Sequence, residues 1–110
     1  QKVGVPVLTD PLLIEQDFGT FEGRSVDDPE YREKRKSLLW HYPEGESTAQ
    51  LIHRAYTIIE KVRDTYPDKR VLLVSHGCFC RAARTYFVDI PFGDFYEFYM
   101  ENCQLLEFDL

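Results

Sequence analysis

An uninterrupted aliphatic run, residues 71–74, stops abruptly at Ser75, His76 and Gly77. A run without polar alternation is typical of a strand buried on both faces, as in the middle of a parallel α/β sheet. Residues 78–88 have apolar side chains at helical spacing and predict a helix after the turn. This strand, turn and helix would place His76 and Gly77 at a carboxyl end of the sheet, where ligands commonly bind.

Helical periodicity also predicts a long helix over residues 48–66, and Ser47 with Gln50 three residues later is a capping-box signal at its start. A shorter helix is predicted over residues 25–40, because acidic side chains precede basic ones in the order that the helix dipole favours. The basic residues 32–36 are interpreted as a solvated face, with an anion site as the alternative. The stripe of the long helix that would face the sheet comprises Leu51, Ile52, Ala55, Ile58, Ile59 and Val62.

The remaining hydrophobic segments predict further strands. Residues 5–8, interrupted by Pro6, indicate a short strand at an edge or a strand beginning. Residues 95–100 and 104–109 predict a hairpin around residues 101–103. Strands and helices in this order predict one α/β domain over residues 1–110, with a mostly parallel sheet and helices on its faces.

Two positions are candidates for chemistry. Glu15 follows three aliphatic residues in an apolar loop, so its carboxyl group could be shielded from water and act as a general acid; a solvated surface glutamate is the alternative. His76 and Gly77 precede a predicted helix, whose first N–H groups and dipole attract an anion such as phosphate. The alternative there is a histidine that only caps the turn.

Composition and charge narrow the classes of partner. The 110 residues are 44% hydrophobic and 15% aromatic, which argues against disorder. A net charge of -6 repels nucleic acid and anionic membranes, so neither is expected as the main partner. No apolar run approaches the roughly 20 residues of a membrane-spanning helix. The sequence therefore predicts a soluble, cytoplasmic protein.

The three cysteines, Cys78, Cys80 and Cys103, have apolar or aromatic neighbours and are predicted to be buried, unreactive thiols. His76 with these cysteines lacks the usual pairing of a zinc site, so no metal is expected. The Gly-rich fingerprints of nucleotide and dinucleotide sites are absent, and no cofactor is predicted.

Three motifs in this order, LLIEQDFGTFEG, PEGES and VLLVSHGCFCRAA, resemble the later part of the histidine phosphatase superfamily. The resemblance covers residues 5–110 and implies a phosphoglycerate mutase-like fold, a three-layer sandwich of a mostly parallel sheet with helices on both faces. It also implies a phosphohistidine intermediate and a small phosphorylated substrate. Glu15 resembles the proton donor, and His76, followed by Gly77, resembles the second phosphate-binding histidine. Arg81 matches a motif arginine with a structural role, and Asn102 and Cys103 match the family's final strand pair.

The family's opening Arg-His-Gly motif, which carries the nucleophilic histidine, has no counterpart here, because His41 and His53 lack that context. The resemblance therefore implies a partial domain without the first strand. An upstream segment or a second copy of the chain is predicted to fill the position beside residues 71–74.

Two function classes follow. In the first, the chain is part of a phosphomonoesterase, with a phosphatase favoured over a mutase because long insertions are absent. In the second, it is a non-catalytic truncated relative that binds a phosphorylated ligand or a partner chain.

Overall fold

The computed structural model describes residues 4–110, the side chain of Phe92 excepted. Three α-helices lie in this range: α1 (Pro29–Lys34), α2 (Thr48–Thr65) and α3 (Gly77–Arg84). Three short 3-10 turns accompany them, at Pro11–Leu13, Gly19–Phe21 and Phe92–Glu97. The other described residues form turns, bends and extended segments.

Helix α2 confirms the helical prediction to within one residue. The Ser47 side-chain oxygen accepts a hydrogen bond from the Gln50 N–H at 3.1 Å, and the Gln50 side chain accepts one from the Ser47 N–H at 2.8 Å. This reciprocal pair satisfies two of the N–H groups that a helix start leaves free. The helix ends before Pro67, because the residue preceding a proline is disfavoured in helical geometry. None of the described helices is long and apolar enough to cross a membrane.

The hydrophobic core lies where α2 packs against α3. Its largest fully buried side chains are Leu51 on α2 and Phe79 on α3, each 1% exposed. Leu12 and Leu13, from the first 3-10 turn, pack against the same core. The loop that carries Glu15 is therefore fixed to both helices. The buried core residues are Leu51, Ala55, Ile58, Phe79 and Ala82.

A separate aromatic cluster joins the Glu15 loop to α1 and to the turn before α2. Tyr42 is its centre, 2% exposed, with the Trp40 ring centroid at 4.7 Å and that of Phe18 at 5.2 Å. Phe21 and Tyr31 pack around the same ring. Nearly perpendicular ring pairs place the positive edge of one ring on the negative face of the next, which stabilises the cluster beyond the burial of its area.

The predicted α/β sandwich is wrong for this structure, because residues 4–110 contain no β-strand. Residues 71–74 belong to no helix or strand, no backbone hydrogen bond joins them to another described segment, and Leu72 and Val74 are 70% and 74% exposed. In residues 5–8, Val7 and Leu8 are similarly exposed, at 72% and 73%. An apolar pattern identifies a segment suited to a sheet, but a strand also requires a hydrogen-bonded neighbour.

Two other elements differ from prediction. The hairpin over residues 95–100 and 104–109 is absent from the described chain, since Phe92–Glu97 forms a 3-10 turn that buries Phe95. Helix α1 covers six residues, far fewer than the 16 predicted. It begins four residues late because Asp28 caps it and Pro29 occupies its first position, and it ends at Lys34. Ser25 instead accepts a hydrogen bond from the Asp27 N–H in a local turn.

The molecule exposes more surface than a closed domain of its size. Its accessible area is 8225 Å², against about 6,300 Å² expected for a compact protein of this mass. The excess agrees with the uncovered apolar side chains of residues 5–8 and 71–74. Packing around the α2–α3 core therefore leaves these two segments without cover.

Candidate functional site

Glu15 lies at the N-terminus of α3. Its two carboxylate oxygens accept hydrogen bonds from the backbone N–H groups of Cys78, at 3.1 Å, and Phe79, at 2.9 Å. The Gln16 N–H donates a third, at 2.9 Å. Free N–H groups and the dipole make a helix start favourable for a negative charge. Glu15 is thus a partly buried carboxylate with three backbone donors, and not a freely solvated surface glutamate.

His76 is the N-cap residue of the same helix. Its backbone is extended, with φ -117° and ψ 171°, and its side chain makes no capping hydrogen bond. The imidazole is exposed. The next N–H along the chain, that of Gly77, has no acceptor among residues 4–110. Two of the first three N–H groups of α3 therefore bind Glu15, while the Gly77 N–H and the His76 side chain face outward uncommitted.

The loop that follows Glu15 packs backbone to backbone against the PEGES turn. The Glu46 N–H donates to the Asp17 carbonyl oxygen at 2.8 Å. A Cβ atom on Gly19 would overlap the Pro43 carbonyl oxygen, and one on Gly45 would overlap the Asp17 carbonyl oxygen. Only glycine allows this approach. Two of the three sequence motifs are therefore in direct contact.

Arg54, on α2, holds the segment before Glu15. One terminal nitrogen donates to the carbonyl oxygens of Leu12, at 2.8 Å, and Ile14, at 2.6 Å. The other donates to the Glu15 carbonyl oxygen at 3.4 Å and to a Glu46 carboxylate oxygen at 2.6 Å. The Arg54 and Glu46 side chains are only 16% and 17% exposed. Neither residue is among the candidates that the sequence indicates, because Arg54 lies outside the apolar stripe of the long helix.

Two further contacts fix the same segment. The Ser75 hydroxyl, just before α3, donates to the Leu13 carbonyl oxygen at 2.6 Å. The Lys61 ammonium group on α2 lies 2.6 Å from an Asp10 carboxylate oxygen. This hydrogen bond is the main reason that the pKa of Asp10 lies below its ordinary value, and the Leu12 N–H lowers it further. The segment from residue 10 to residue 15 is thus held at both ends and in the middle.

A groove of about 480 Å³ opens beside Glu15. Four carboxylates line it, those of Glu15, Asp17, Glu22 and Glu46, and Arg54 is the one base in its lining. His76 is not part of this lining. The carboxylates of Asp17, Glu22 and Glu46 would repel an anion, so a phosphoryl group is not expected in the part of the groove that these three residues line. The uncommitted donors of His76 and Gly77 offer an anion a more favourable approach.

Two partly buried arginines flank one aromatic ring. The guanidinium carbons of Arg35 and Arg81 lie 4.9 Å and 5.5 Å from the Tyr96 ring centroid. Burial raises the pKa of Tyr96, although its contact with Thr48 and the two positive charges lower it. Arg81 also donates to the Phe98 carbonyl oxygen at 3.1 Å. This backbone contact agrees with the structural role that the resemblance implies for Arg81.

The thiols near Glu15 are held in their neutral form. Burial raises the pKa of Cys78 and of Cys80, and the negative charge of Glu15 raises both further. Arg81 acts in the opposite direction on Cys78. Cys103 is exposed in a turn, which differs from the predicted burial. No group of side chains in residues 4–110 has an arrangement that could hold a metal ion.

We expect thiol-labelling rates to separate the three cysteines. In the native protein, Cys103 should react first with a maleimide, and Cys78 and Cys80 at least tenfold more slowly, because a raised pKa and burial both reduce the accessible thiolate. Mass spectrometry of peptides taken at successive times measures the order, with denatured protein as the control in which the rates converge. Labelling of Cys78 as fast as that of Cys103 would contradict the prediction.

The other histidines offer no comparable arrangement. His41 and His53 are exposed, and neither side chain makes a hydrogen bond within residues 4–110. Asn102 and Cys103, which the resemblance placed in a final strand pair, lie in an exposed turn in which Cys103 has φ 63°. Among the candidates, Glu15 binds the first turn of the helix that His76 caps, whereas His41 and His53 have no such relation to it.

Comparisons with known proteins agree with the motifs. The family model of the histidine phosphatase superfamily (branch 1) matches residues 1–110. An acid phosphatase of Mycobacterium tuberculosis is 35% identical over 97 residues, covering 86% of this chain and 47% of the relative. A probable phosphoglycerate mutase, GpmB, of Yersinia pestis is 28% identical over 113 residues, covering 96% of this chain and 53% of the relative.

A solved structure gives the same result. The product of the open reading frame Rv3214 of Mycobacterium tuberculosis superimposes with a TM-score of 0.61 and 37% sequence identity, over 81% of this chain and 47% of that protein. The chain spans about half the length of the relatives that it matches. Because the family model covers all 110 residues, the chain belongs to the histidine phosphatase superfamily, branch 1.

Proposed function

We propose that this chain forms part of a phosphomonoesterase that acts through a phosphohistidine, with Glu15 as the proton donor and His76 and Gly77 binding the phosphoryl group. The observation that carries the proposal is the placement of the Glu15 carboxylate on the N-terminus of the helix that His76 caps. The relatives include an acid phosphatase at 35% identity and a probable phosphoglycerate mutase at 28% identity, so both activities occur among them, and the higher identity is to the phosphatase.

Hydrolysis of a phosphate ester requires a proton at the leaving oxygen and positive charge beside the other phosphoryl oxygens. As the bond from phosphorus to the leaving oxygen breaks, Glu15 gives its proton to that oxygen, while a histidine nitrogen forms the new bond to phosphorus. Water then attacks the phosphohistidine and returns its proton to Glu15, releasing inorganic phosphate. In this proposal, the His76 imidazole and the Gly77 N–H donate to the phosphoryl oxygens.

In this proposal, the nucleophilic histidine lies in a segment outside this chain. Covalent catalysis needs an activated histidine, and neither exposed His41 nor exposed His53 has a hydrogen-bonded partner within residues 4–110 that could orient its ring. In the proposal, a segment beyond the 110 residues supplies that histidine. The chain then contributes the proton donor and part of the phosphate clamp.

A second candidate function is a non-catalytic relative that binds a phosphorylated ligand or a partner chain. The uncovered residues 71–74 favour it, since Leu72 and Val74 present apolar surface that another polypeptide would bury. In this alternative, His76 and Gly77 bind an anion without turnover. The coverage of residues 71–74 by another segment, or by a second copy of the chain, stays a prediction.

Binding of inorganic phosphate tests the site. We expect phosphate titrated into the protein to perturb the His76 imidazole and the Gly77 amide resonances, and His76→Ala to weaken binding about tenfold or more, the cost of losing one hydrogen bond to a charged group. His53→Ala is the matched control, an exposed histidine on α2, and should bind phosphate as the wild type does.

Phosphate binding by His76→Ala, combined with an assay of hydrolysis, distinguishes the two candidate functions. Equal phosphate affinity in the His76→Ala and wild-type proteins would overturn the assignment of His76. Phosphate binding that depends on His76, without hydrolysis of any phosphate monoester by the longer protein that includes the nucleophile segment, would favour the non-catalytic function. Dependence on His76 together with turnover supports the phosphomonoesterase.

A further inference from the structure

The guanidinium group of Arg54 has an acceptor for each of its five N–H donors. Three are the backbone carbonyl oxygens of Leu12, Ile14 and Glu15, at 2.8, 2.6 and 3.4 Å. The other two are the carboxylate oxygens of Glu46, at 2.6 and 3.4 Å. This is the full donor capacity of an arginine. It is directed at the segment that carries Glu15 and at the turn packed against that segment.

We propose that Arg54 and Glu46 form a positioning pair that sets the Glu15 carboxylate on the N-terminus of α3. This inference rests on the proposed function, in which Glu15 is the proton donor. Arg54 touches no reacting atom in this scheme. It acts through the backbone, because donors to the carbonyl oxygens of Ile14 and Glu15 fix the peptide planes on either side of the Glu15 Cα atom.

The direction of the Glu15 side chain depends on those peptide planes. Its carboxylate must reach the N–H groups of Cys78 and Phe79 on another element, 63 and 64 residues along the chain. Without Arg54, the carbonyl oxygens of Leu12 and Ile14 lose their donor, and the loop is free to shift relative to α3. A displacement of about 1 Å at a reacting group costs on the order of 100-fold in rate.

Glu46 makes the arrangement specific to arginine. Its carboxylate binds Arg54 and also accepts a hydrogen bond from the Asp17 N–H at 3.1 Å, so it links α2 to both sides of the Glu15 loop. A planar guanidinium group can bind a carboxylate with two donors while its remaining donors point elsewhere. Lysine has three donors on one nitrogen and cannot span these acceptors.

Nuclear magnetic resonance of the full chain tests positioning without requiring turnover. The reporters are the backbone amide resonances of Cys78 and Phe79, whose protons bind Glu15. We expect Glu15→Gln to shift both, and Arg54→Gln to shift them in the same direction. Arg63→Gln is the matched control, since Arg63 lies on the same helix and makes exposed ion pairs with Glu60 and Asp64. It should leave both amides unchanged.

Conservative variants separate positioning from a general role in stability. We expect Arg54→Lys to restore the two amide shifts only partly, even where it restores the melting temperature. If Arg54→Gln does not fold, Glu46→Gln replaces it, because the amide keeps one acceptor oxygen but weakens the hold on the guanidinium group. Spectra of either folded variant in which the Cys78 and Phe79 amides match the wild type would overturn the inference.

In the active enzyme, Arg54→Gln should lower kcat about 10- to 100-fold with little change in KM, because positioning the proton donor affects the reacting state more than substrate binding. A rise in KM alone would contradict this. If Arg54→Gln shifts the two amide resonances but the wild-type enzyme hydrolyses no phosphate monoester, the proposed function is refuted and the positioning of Glu15 is established. Hydrolysis that survives Arg54→Gln unchanged would refute the positioning role.

Discussion

Replacing Glu15 with glutamine is expected to slow hydrolysis of an alkyl phosphate monoester about 10²- to 10⁴-fold, the range for loss of a general acid. The loss should be far smaller for p-nitrophenyl phosphate, because its leaving group departs as a stable phenolate without needing a proton. The Cys78 and Phe79 N–H groups bind different oxygens of Glu15, so glutamine, with one acceptor oxygen, keeps one of these two hydrogen bonds but carries no transferable proton. Steady-state kinetics with both substrates, on the enzyme that contains this chain, measure the difference.

Glu22→Gln is the control for this prediction. Glu22 lies in the same loop, is exposed, and accepts a hydrogen bond from the Phe18 N–H at 2.9 Å, which the amide oxygen preserves. It should turn over both substrates at the wild-type rate. An equal loss on the two substrates in Glu15→Gln would indicate that Glu15 only maintains the structure of the loop, and the proton-donor role would then be wrong.

The elements that were predicted well are those whose formation depends on residues close together in the sequence. Helix α2 follows from a capping box and an apolar stripe within a few turns, and its observed bounds match prediction closely. Residues 71–74 are different, since a strand there depends on pairing with a segment distant in sequence, and no described segment is hydrogen-bonded to them. The sheet prediction rested on neighbours that the described part of the chain does not supply.

Only part of the candidate site could likewise be predicted from the sequence. The three motifs identified Glu15, His76 and Gly77 as candidates, and the structure brings these residues to one end of α3. Arg54 was missed because arginine on a helix is usually solvated. A signal was present, since Leu51 and Ile58 lie three residues before and four after Arg54, which places its stem beside the apolar stripe. Its five acceptors lie mostly on backbone atoms, which no side-chain pattern reveals.

The contact between the Glu15 loop and the PEGES turn gives the largest expected loss of stability. Gly19 has φ 53°, and a Cβ atom there would overlap the Pro43 carbonyl oxygen and lie 2.6 Å from the Gly45 nitrogen. Both neighbours are backbone atoms, which cannot rotate away as a side chain would. We expect Gly19→Ala to lower the free energy of unfolding by about 2 to 5 kcal/mol, from a left-handed backbone and an overpacked contact together.

Gly23→Ala separates these two causes. Gly23 also has a positive φ, 82°, but no atom lies within 4 Å of its added Cβ. This variant carries only the conformational penalty, about 1 to 2 kcal/mol. Urea denaturation of the two variants and the wild type measures the difference. Equal losses would show that the loop and the turn separate freely in solution. To admit the methyl group of Gly19→Ala, the loop that follows Glu15 must move. A larger loss of stability in Gly19→Ala than in Gly23→Ala, together with shifted Cys78 and Phe79 amide resonances, would therefore show that this backbone contact helps to hold Glu15 at the start of α3.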